Sequence, residues 1–343
     1  MANRGARSAE GAPRGTERHV PVLLAQMLHA ITARDGQSFI DATFGAGGYS
    51  KAILTAAPGS RVLAIDRDPT ALAAGRWLAE QYPGRLQLSE GRFGDLDRLA
   101  ATAGFAPADG VVLDVGVSSM QLDDPERGFS FQSDGPLDMR MSPSGPTAAD
   151  VLNAADEAGL ADILFHLGEE KSARAIARAI VTRRHQRPIA RTSELAQLVA
   201  RVLGREKIAG RHAATRTFQA LRIYVNDELF ELAGGLSAAE RVLAPGGRLV
   251  VITFHSLEDR LVKHFFRERA APQPHASRHL PPLAEPRRPP SFRFLNHRPV
   301  SPTDTEVAAN PRARSARLRA AVRTDAQPWE ADSGGLSFPR VPP

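Results

Sequence analysis

Three acids and one glycine-rich turn stand where they could hold a nucleotide-like ligand. Residues 39–50, FIDATFGAGGYS, carry a short apolar run into Asp41 and then into Gly45-Ala46-Gly47-Gly48. A Gly-x-Gly-Gly turn that opens a helix offers backbone N–H groups and lets the main chain approach a ligand closely. Asp66 ends the next apolar run, in AIDRD, where a carboxylate can accept both ribose hydroxyls of an adenosine. Asp114 closes the run GVVLDVGVSS beside the same cleft, and Phe93, in GRFGDLDRL, could lay its ring on adenine.

By itself this pairing leaves NAD and S-adenosylmethionine as contenders. The third glycine of the dinucleotide fingerprint falls at Ser50 and is absent, while Asp41 precedes the turn. A carboxylate there suits the cationic amino-acid end of S-adenosylmethionine better than a pyrophosphate. Together with Phe93 and Asp114, this favours the methyl donor.

The chain has no cysteine. That excludes disulfides, thiolate-ligated zinc, iron–sulfur clusters and every thiolate nucleophile. No metal site is expected.

The elements that must position these residues alternate. SFIDATF, RVLAIDRD, GVVLDVGVSS and RLVVITFHS are short apolar runs of the kind buried on both faces of a parallel sheet. GGYSKAILTAAPGS and DPTALAAGRWLAEQYPG between them have helical spacing, and from His19 HVPVLLAQMLHAI reads as an amphipathic helix. Strand and helix in alternation predict an α/β sheet with right-handed crossovers. After Ser119 the alternation stops: a long loop, MQLDDPERGFSFQSDGPLDMRMSPSGP, precedes segments that read as helices only. Thr147 with Asp150 predicts a capping box, and Thr192 an N-cap. At 343 residues the chain exceeds the roughly 250 to 300 at which one core stops growing, which predicts two folded units plus tails. The expected division is a sheet domain over 19–124 and 213–323, an inserted helical domain over 125–212, and disordered tails over 1–18 and 324–343.

Charge bears on partners. The formal net charge is +6, carried mainly by arginine, which favours a polyanion unless it reflects only codon preference. Lys171, Arg174, Arg178, Arg183, Arg184 and Arg187 gather on and just after one expected helix, whose apolar face is Ala173, Ile176, Ala177 and Ile180. A solvated face is the plain alternative. A second basic segment, residues 271–320, has nine arginines against three acids, and the pair of segments favours nucleic acid. No apolar run approaches the roughly 18 residues that cross a bilayer, and the first 18 residues lack a signal peptide's apolar stretch, so the protein is expected in the cytoplasm and off the membrane.

Longer blocks carry a resemblance. DATFGAGGYS, LAIDRDPTAL, VGVSSMQLDDPERGFSFQSDGPLDMRM, HAATRTFQALRIYVNDEL, LAPGGRLVVITFHSLEDRLVKHFF and NPRARSARLRA resemble the bacterial small-subunit ribosomal RNA (cytosine-N4)-methyltransferase H family, from about His19 to Arg323. The resemblance implies a Rossmann-like class I methyltransferase sheet with an inserted helical substrate-binding domain. It implies S-adenosyl-L-methionine as cofactor and N4 methylation of a cytidine in the decoding region of 16S rRNA. Carried over by position, the cofactor contacts fall on Gly47, Gly48, Tyr49, Asp66, Phe93, Asp114 and Gln121. Many relatives have His where this chain has Tyr49, so only a backbone role is expected there.

The missing cysteine agrees with that chemistry. Methylation at C5 of cytosine ordinarily needs a thiolate at C6, whereas an exocyclic amine can attack the sulfonium methyl directly. Its lone pair is delocalised, so the site must hold N4 in line and offer an acceptor for the departing proton, with the base out of its stack. Asp114 is the first candidate acceptor, with Ser118, Asp138, Asn226 and His255 behind it. Loop capping competes for Asp138, and a Ser256–Asp259 cap competes for a role of His255. Phe129 and Phe131 are read as a plug at the domain junction rather than as RNA stackers. A Ser-His-Asp hydrolase lacks its Gly-x-Ser-x-Gly elbow. An NAD-dependent oxidoreductase and a non-catalytic RNA-binding protein remain as alternatives.

Overall fold

The computed structural model describes residues 21–208, 211–270 and 288–330. The chain before Pro21 and after Glu330, where the expected tail over 1–18 and all but the first seven residues of that over 324–343 fall, lies outside the described residues, as do residues 209–210 and 271–287.

Seven strands form one sheet: β1 (Ser38–Asp41), β2 (Arg61–Asp66), β3 (Leu86–Glu90), β4 (Ala108–Asp114), β5 (Leu243–Thr253), β6 (Phe292–Phe294) and β7 (Arg317–Arg323). Their order across the sheet is β3-β2-β1-β4-β5-β7-β6. The first five run parallel, while β7 is antiparallel to both β5 and β6. The apolar runs are continuous because alternate side chains serve two cores. Ile40, Leu63, Ile65, Val111, Leu113, Leu249 and Val251 face one; Phe39, Val62, Ala64, Val112, Val250 and Ile252 face the other.

The second core is closed by the helix Leu24–Ile31 through Leu23, Met27 and Ile31, and by Ile53, Leu54 and Leu78 of the two crossovers. The first helix begins later than the apolar spacing suggests. Leu23 sits in the left-handed region at φ 54°, and its N–H donates to Glu306 Oε1 at 2.6 Å.

Between β4 and β5 the chain forms the helices Ala148–Ala154, Glu157–Gly168, Ala173–Gln186, Thr192–Leu203, Thr215–Val225 and Glu228–Val242. Their apolar faces belong to the same continuous core as one face of the sheet. A Cβ on Gly168 would lie 2.6 Å from Arg216 O, so the helices Glu157–Gly168 and Thr215–Val225 touch backbone to backbone. The Thr147–Asp150 capping box forms. Thr192 is instead the first helical residue: its hydroxyl accepts from Gly135 N at 3.0 Å, and Glu194 accepts from the N–H groups of Ala190 and Arg191.

The C-terminal reading needs correction. NPRARSARLRAAVRT contains β7, a strand inside the sheet, and β6 lies beyond it. Residues 324–330, expected as tail, are packed: Trp329 N donates to Glu240 Oε1, and its indole N–H to Pro289 O.

Candidate functional site

The carboxyl ends of β1, β2 and β4 converge, as they do beside the strand-order reversal of any open α/β sheet. Asp41 ends β1 and is fully buried. Its Oδ2 accepts from Ser50 N at 3.1 Å and Ser50 Oγ at 2.6 Å, and its Oδ1 from Thr43 N at 3.3 Å. Burial pushes its pKa up to about 6 despite those bonds. Asp41 is therefore a brace that closes the turn from within, not a carboxylate facing a cationic ligand. Ser50, which occupies the third-glycine position, is the partner that makes the brace.

The glycines divide in the same way. Gly47 has φ 77°, and a Cβ there would lie 2.7 Å from Leu78 Cδ2 and 2.8 Å from the Phe44 ring; at Gly48 it would lie 2.2 Å from Pro21 Cγ. Protein fills the space beside both. Gly45, with φ 52°, is the open one: its nearest such neighbours, Ser118 Cβ and Thr43 O, are at 3.9 Å. The first glycine of Gly-x-Gly-Gly was the available signal for it.

Gly45 N donates to Asp66 Oδ2 at 2.8 Å, and Asp68 N donates to Asp66 Oδ1 at 2.9 Å. Each oxygen of Asp66 keeps a lone pair for a further donor. Burial raises its pKa. Phe93 lies after β3, half-buried, with its ring edge against Gly235 of the helix Glu228–Val242, where a Cβ would come within 2.6 Å of Phe93 Cδ2.

Asp114 ends β4, and its N–H donates to Thr43 Oγ1 at 2.7 Å. Its Oδ1 is out of solvent and has no hydrogen-bond partner among the described residues. Burial, reinforced by the charge of Asp41, pushes its pKa up to about 8. Tyr49 stands beside it, is buried, and donates its hydroxyl proton to Val22 O at 2.6 Å. Burial first and Asp114 second push the phenol's pKa well up. The Tyr49 side chain thus ties the glycine turn to the N-terminal segment.

Gln121 is a correction in part. Its Oε1 accepts from Ser118 N and its backbone N–H donates to Ser118 Oγ, forming a capping box, while its Nε2 donates to Asp68 Oδ2 at 2.9 Å. The amide is committed to protein, and Ser118 with it. Asp68, not anticipated, also pairs with Arg127 at 2.8 Å and accepts from Thr70 N. Burial pushes its pKa up, but Gln121 and Arg127 outweigh that and hold it low. An Asp before Pro69 at a helix start was the legible signal.

The weaker candidates are structural. Asp138 takes Arg140 through both oxygens at 2.9 and 2.7 Å. Asn226, 1% exposed, accepts from Met141 N and donates to Met139 O, which pins the long loop to the helix Thr215–Val225. His255 Nε2 lies 2.9 Å from Glu258 Oε1, in a buried group with Glu228. Glu258 Oε2 accepts from Phe254 N and His255 N, so Glu258, rather than Ser256 with Asp259, caps the helix Ser256–Ala270. Three ligand atoms of Glu228, His255 and Glu258 fall within 4.8 Å of one another, yet a cation is already supplied: Arg222 grips Glu228 at 2.7 and 2.8 Å. Phe129 is buried, and Phe131 packs on His212 and Phe218 with centroids 4.6 and 5.0 Å away; both rings face protein.

Five parallel strands followed by one reversed strand and an edge strand, with a glycine turn after β1 and acids closing β1, β2 and β4, define a class I S-adenosylmethionine-dependent methyltransferase. Residues 16–324 match the model of the MraW methylase family. The chain is 58% identical over 313 residues to the ribosomal RNA small subunit methyltransferase H of Methylobacterium nodulans, covering 91% of this chain and 92% of that one. To the proteins of the same name in Methylorubrum populi and Azorhizobium caulinodans it is 58% and 57% identical, over 94% of this chain and 92% of each of theirs. The chain belongs to the MraW methylase family, and its methyl donor is S-adenosyl-L-methionine. No helix among the described residues is long and apolar enough to cross a membrane.

Proposed function

We propose that the protein transfers a methyl group from S-adenosylmethionine to N4 of a cytidine in the decoding region of 16S rRNA, in the cytoplasm. The observation that carries the reading is Asp114: its Oδ1 is held out of water with no hydrogen-bond partner among the described residues, on the donor cleft of a chain without cysteine. In the reaction the N4 lone pair forms the N–C bond, the C–S bond breaks with its electrons going to sulfur, and N4 gives up one proton. Because its pKa lies near 8, Asp114 by itself is largely protonated at neutral pH. A cationic amino group of the donor would lower that pKa and turn the group into an acceptor for the donor's ammonium or for N4–H. The names of the relatives support the RNA substrate.

Gly45, Asp66 and Phe93 would take the adenosine, with Asp66 on the ribose hydroxyls and the Phe93 ring on adenine. Gly47, Gly48, Tyr49 and Gln121 would shape that pocket through backbone and bracing. Residues 19–124 and 213–323 would form the donor domain, and residues 125–212 the RNA-substrate domain.

The test is incubation with labelled S-adenosylmethionine and either small-subunit particles or free 16S rRNA. Label is expected in RNA, with S-adenosylhomocysteine but not NAD raising the melting temperature. Stabilisation by NAD alone would restore the oxidoreductase reading. RNA binding without label transfer would favour a non-catalytic assembly protein.

A further inference from the structure

The helices Ala173–Gln186 and Thr192–Leu203 lie side by side and enclose a surface groove. Ala175, Ala179, Leu198 and Val202 line its apolar part, and Arg178, Arg183 and Arg201 give it three guanidinium groups. Thr182 and Gln186 add polar groups at its edge.

The charge in the groove is only loosely balanced. Arg178, 74% exposed, is 3.6 Å from Glu157, and Arg183 and Arg187 share Glu194 at 4.0 and 3.9 Å, while Arg183, more covered, also donates to Arg187 O at 2.9 Å. A long, exposed pair such as Arg178 with Glu157 is worth little and yields readily to a better anion. The helix does not use all its arginines this way. Arg184 turns inward and donates to Leu152 O and Ala155 O, satisfying the end of the helix Ala148–Ala154. The second helix is tied to the cleft through a chain of contacts: Arg191, just before it, pairs with Asp134 of the long loop at 2.5 Å, and that loop is anchored through Arg127 and Gln121 to Asp68, two residues from Asp66.

We infer that this groove between the helices Ala173–Gln186 and Thr192–Leu203 is a track for the RNA phosphodiester backbone, with Arg178, Arg183 and Arg201 as its phosphate ligands. The inference rests on the RNA-methylating reading. Guanidinium forks match phosphate oxygens two at a time, and an apolar floor between them admits a ribose edge without leaving a polar group unpaired. The track holds the flank of the substrate while the target base sits elsewhere, so its loss weakens binding without touching the donor site.

The experiment uses the full chain with Arg178→Glu and Arg201→Glu together, and a fluorescent decoding-region RNA in the presence of S-adenosylhomocysteine, so that no methyl transfer is involved. Anisotropy is read between about 50 and 200 mM salt. The expected result is a loss of affinity on the order of tenfold at the low-salt end and a log–log salt slope shallower by about 1.4, the amount for two lost contacts on a single strand. S-adenosylhomocysteine affinity by calorimetry stays as in the parent. If the double reversal fails to fold, Arg178→Gln with Arg201→Gln gives the same slope change with a smaller loss of affinity. Unchanged affinity and slope overturn the inference. So does unchanged RNA binding accompanied by lost binding of poly-glutamate, which would give the groove to an acidic protein segment. A methyl group found on the wrong atom would sink the N4 reading and leave this result intact.

Discussion

Two arginine-rich regions that look alike in sequence do opposite things in the fold. On the helix Ala173–Gln186 the apolar residues Ala173, Ile176, Ala177 and Ile180 are buried, and Arg174, Arg178 and the neighbouring Arg187 stand in solvent. In β7, Arg319 and Arg323 are inside. Arg319 grips Asp259 through two bonds at 2.7 and 2.9 Å, and Arg323, 5% exposed, donates to Glu240 O, Ser291 O and Thr324 O. Arg312 is tied to Asp123. The count of basic residues therefore overstates the surface available to a polyanion. What decides is whether each guanidinium already has a partner that water cannot replace.

The comparison breaks most visibly at Arg323. Arg323→Ala takes a buried donor from the carbonyls of Glu240, Ser291 and Thr324, of which Ser291 O keeps the Thr324 N–H, and is expected to cost about 3 kcal/mol, seen as a lower denaturant midpoint. RNA affinity per folded molecule should not change; a selective loss of RNA binding at full stability would put β7 back among the RNA contacts. Next in size is Asp66→Ala, which should weaken S-adenosylhomocysteine binding by about 2 kcal/mol in calorimetry. RNA affinity measured without donor should hold, and unchanged donor affinity would refute the ribose assignment.

Buried charge also leaves a pH signature that exposed arginine cannot. Asp114 has its folded pKa raised from 3.8 to about 8, so the folded state holds this proton more tightly than the unfolded chain does. Its contribution to stability is fully present below about pH 4, falls as pH rises between those values and is lost above about pH 8. Chemical denaturation of the donor-free protein across that window should show a slope that Asp114→Asn removes; an identical slope in the variant would contradict the buried-acid assignment. The smallest effect is expected at Arg178→Ala, within about 0.5 kcal/mol of the parent. A larger loss would mean that this arginine, too, is part of the framework.

Much of the sheet was legible because each central strand is buried on both faces and reads as an unbroken apolar run. The acids at the strand ends were legible for the same reason, since they follow those runs directly. The edge reversed by β7 was not. Its residues are paired over long separations, Arg319 with Asp259 and Arg323 with Glu240, and no local period announces that. The glycine turn was read correctly as a turn but incorrectly in its details. Gly47 and Gly48 are required by Phe44, Leu78 and Pro21, while Asp41 answers to Ser50. Such contacts exist only after the crossover has folded back. Gln121 is different: Ser118-x-x-Gln121 is a capping-box spacing that already stated where its amide would go.

The central claim is that this buried, thiol-free cleft methylates an exocyclic amine. The direct measurement is nucleoside mass spectrometry of 16S rRNA after one round of transfer from labelled S-adenosylmethionine. The account predicts a single labelled nucleoside, N4-methylcytidine; label in 5-methylcytidine or in a ribose-methylated nucleoside would contradict it.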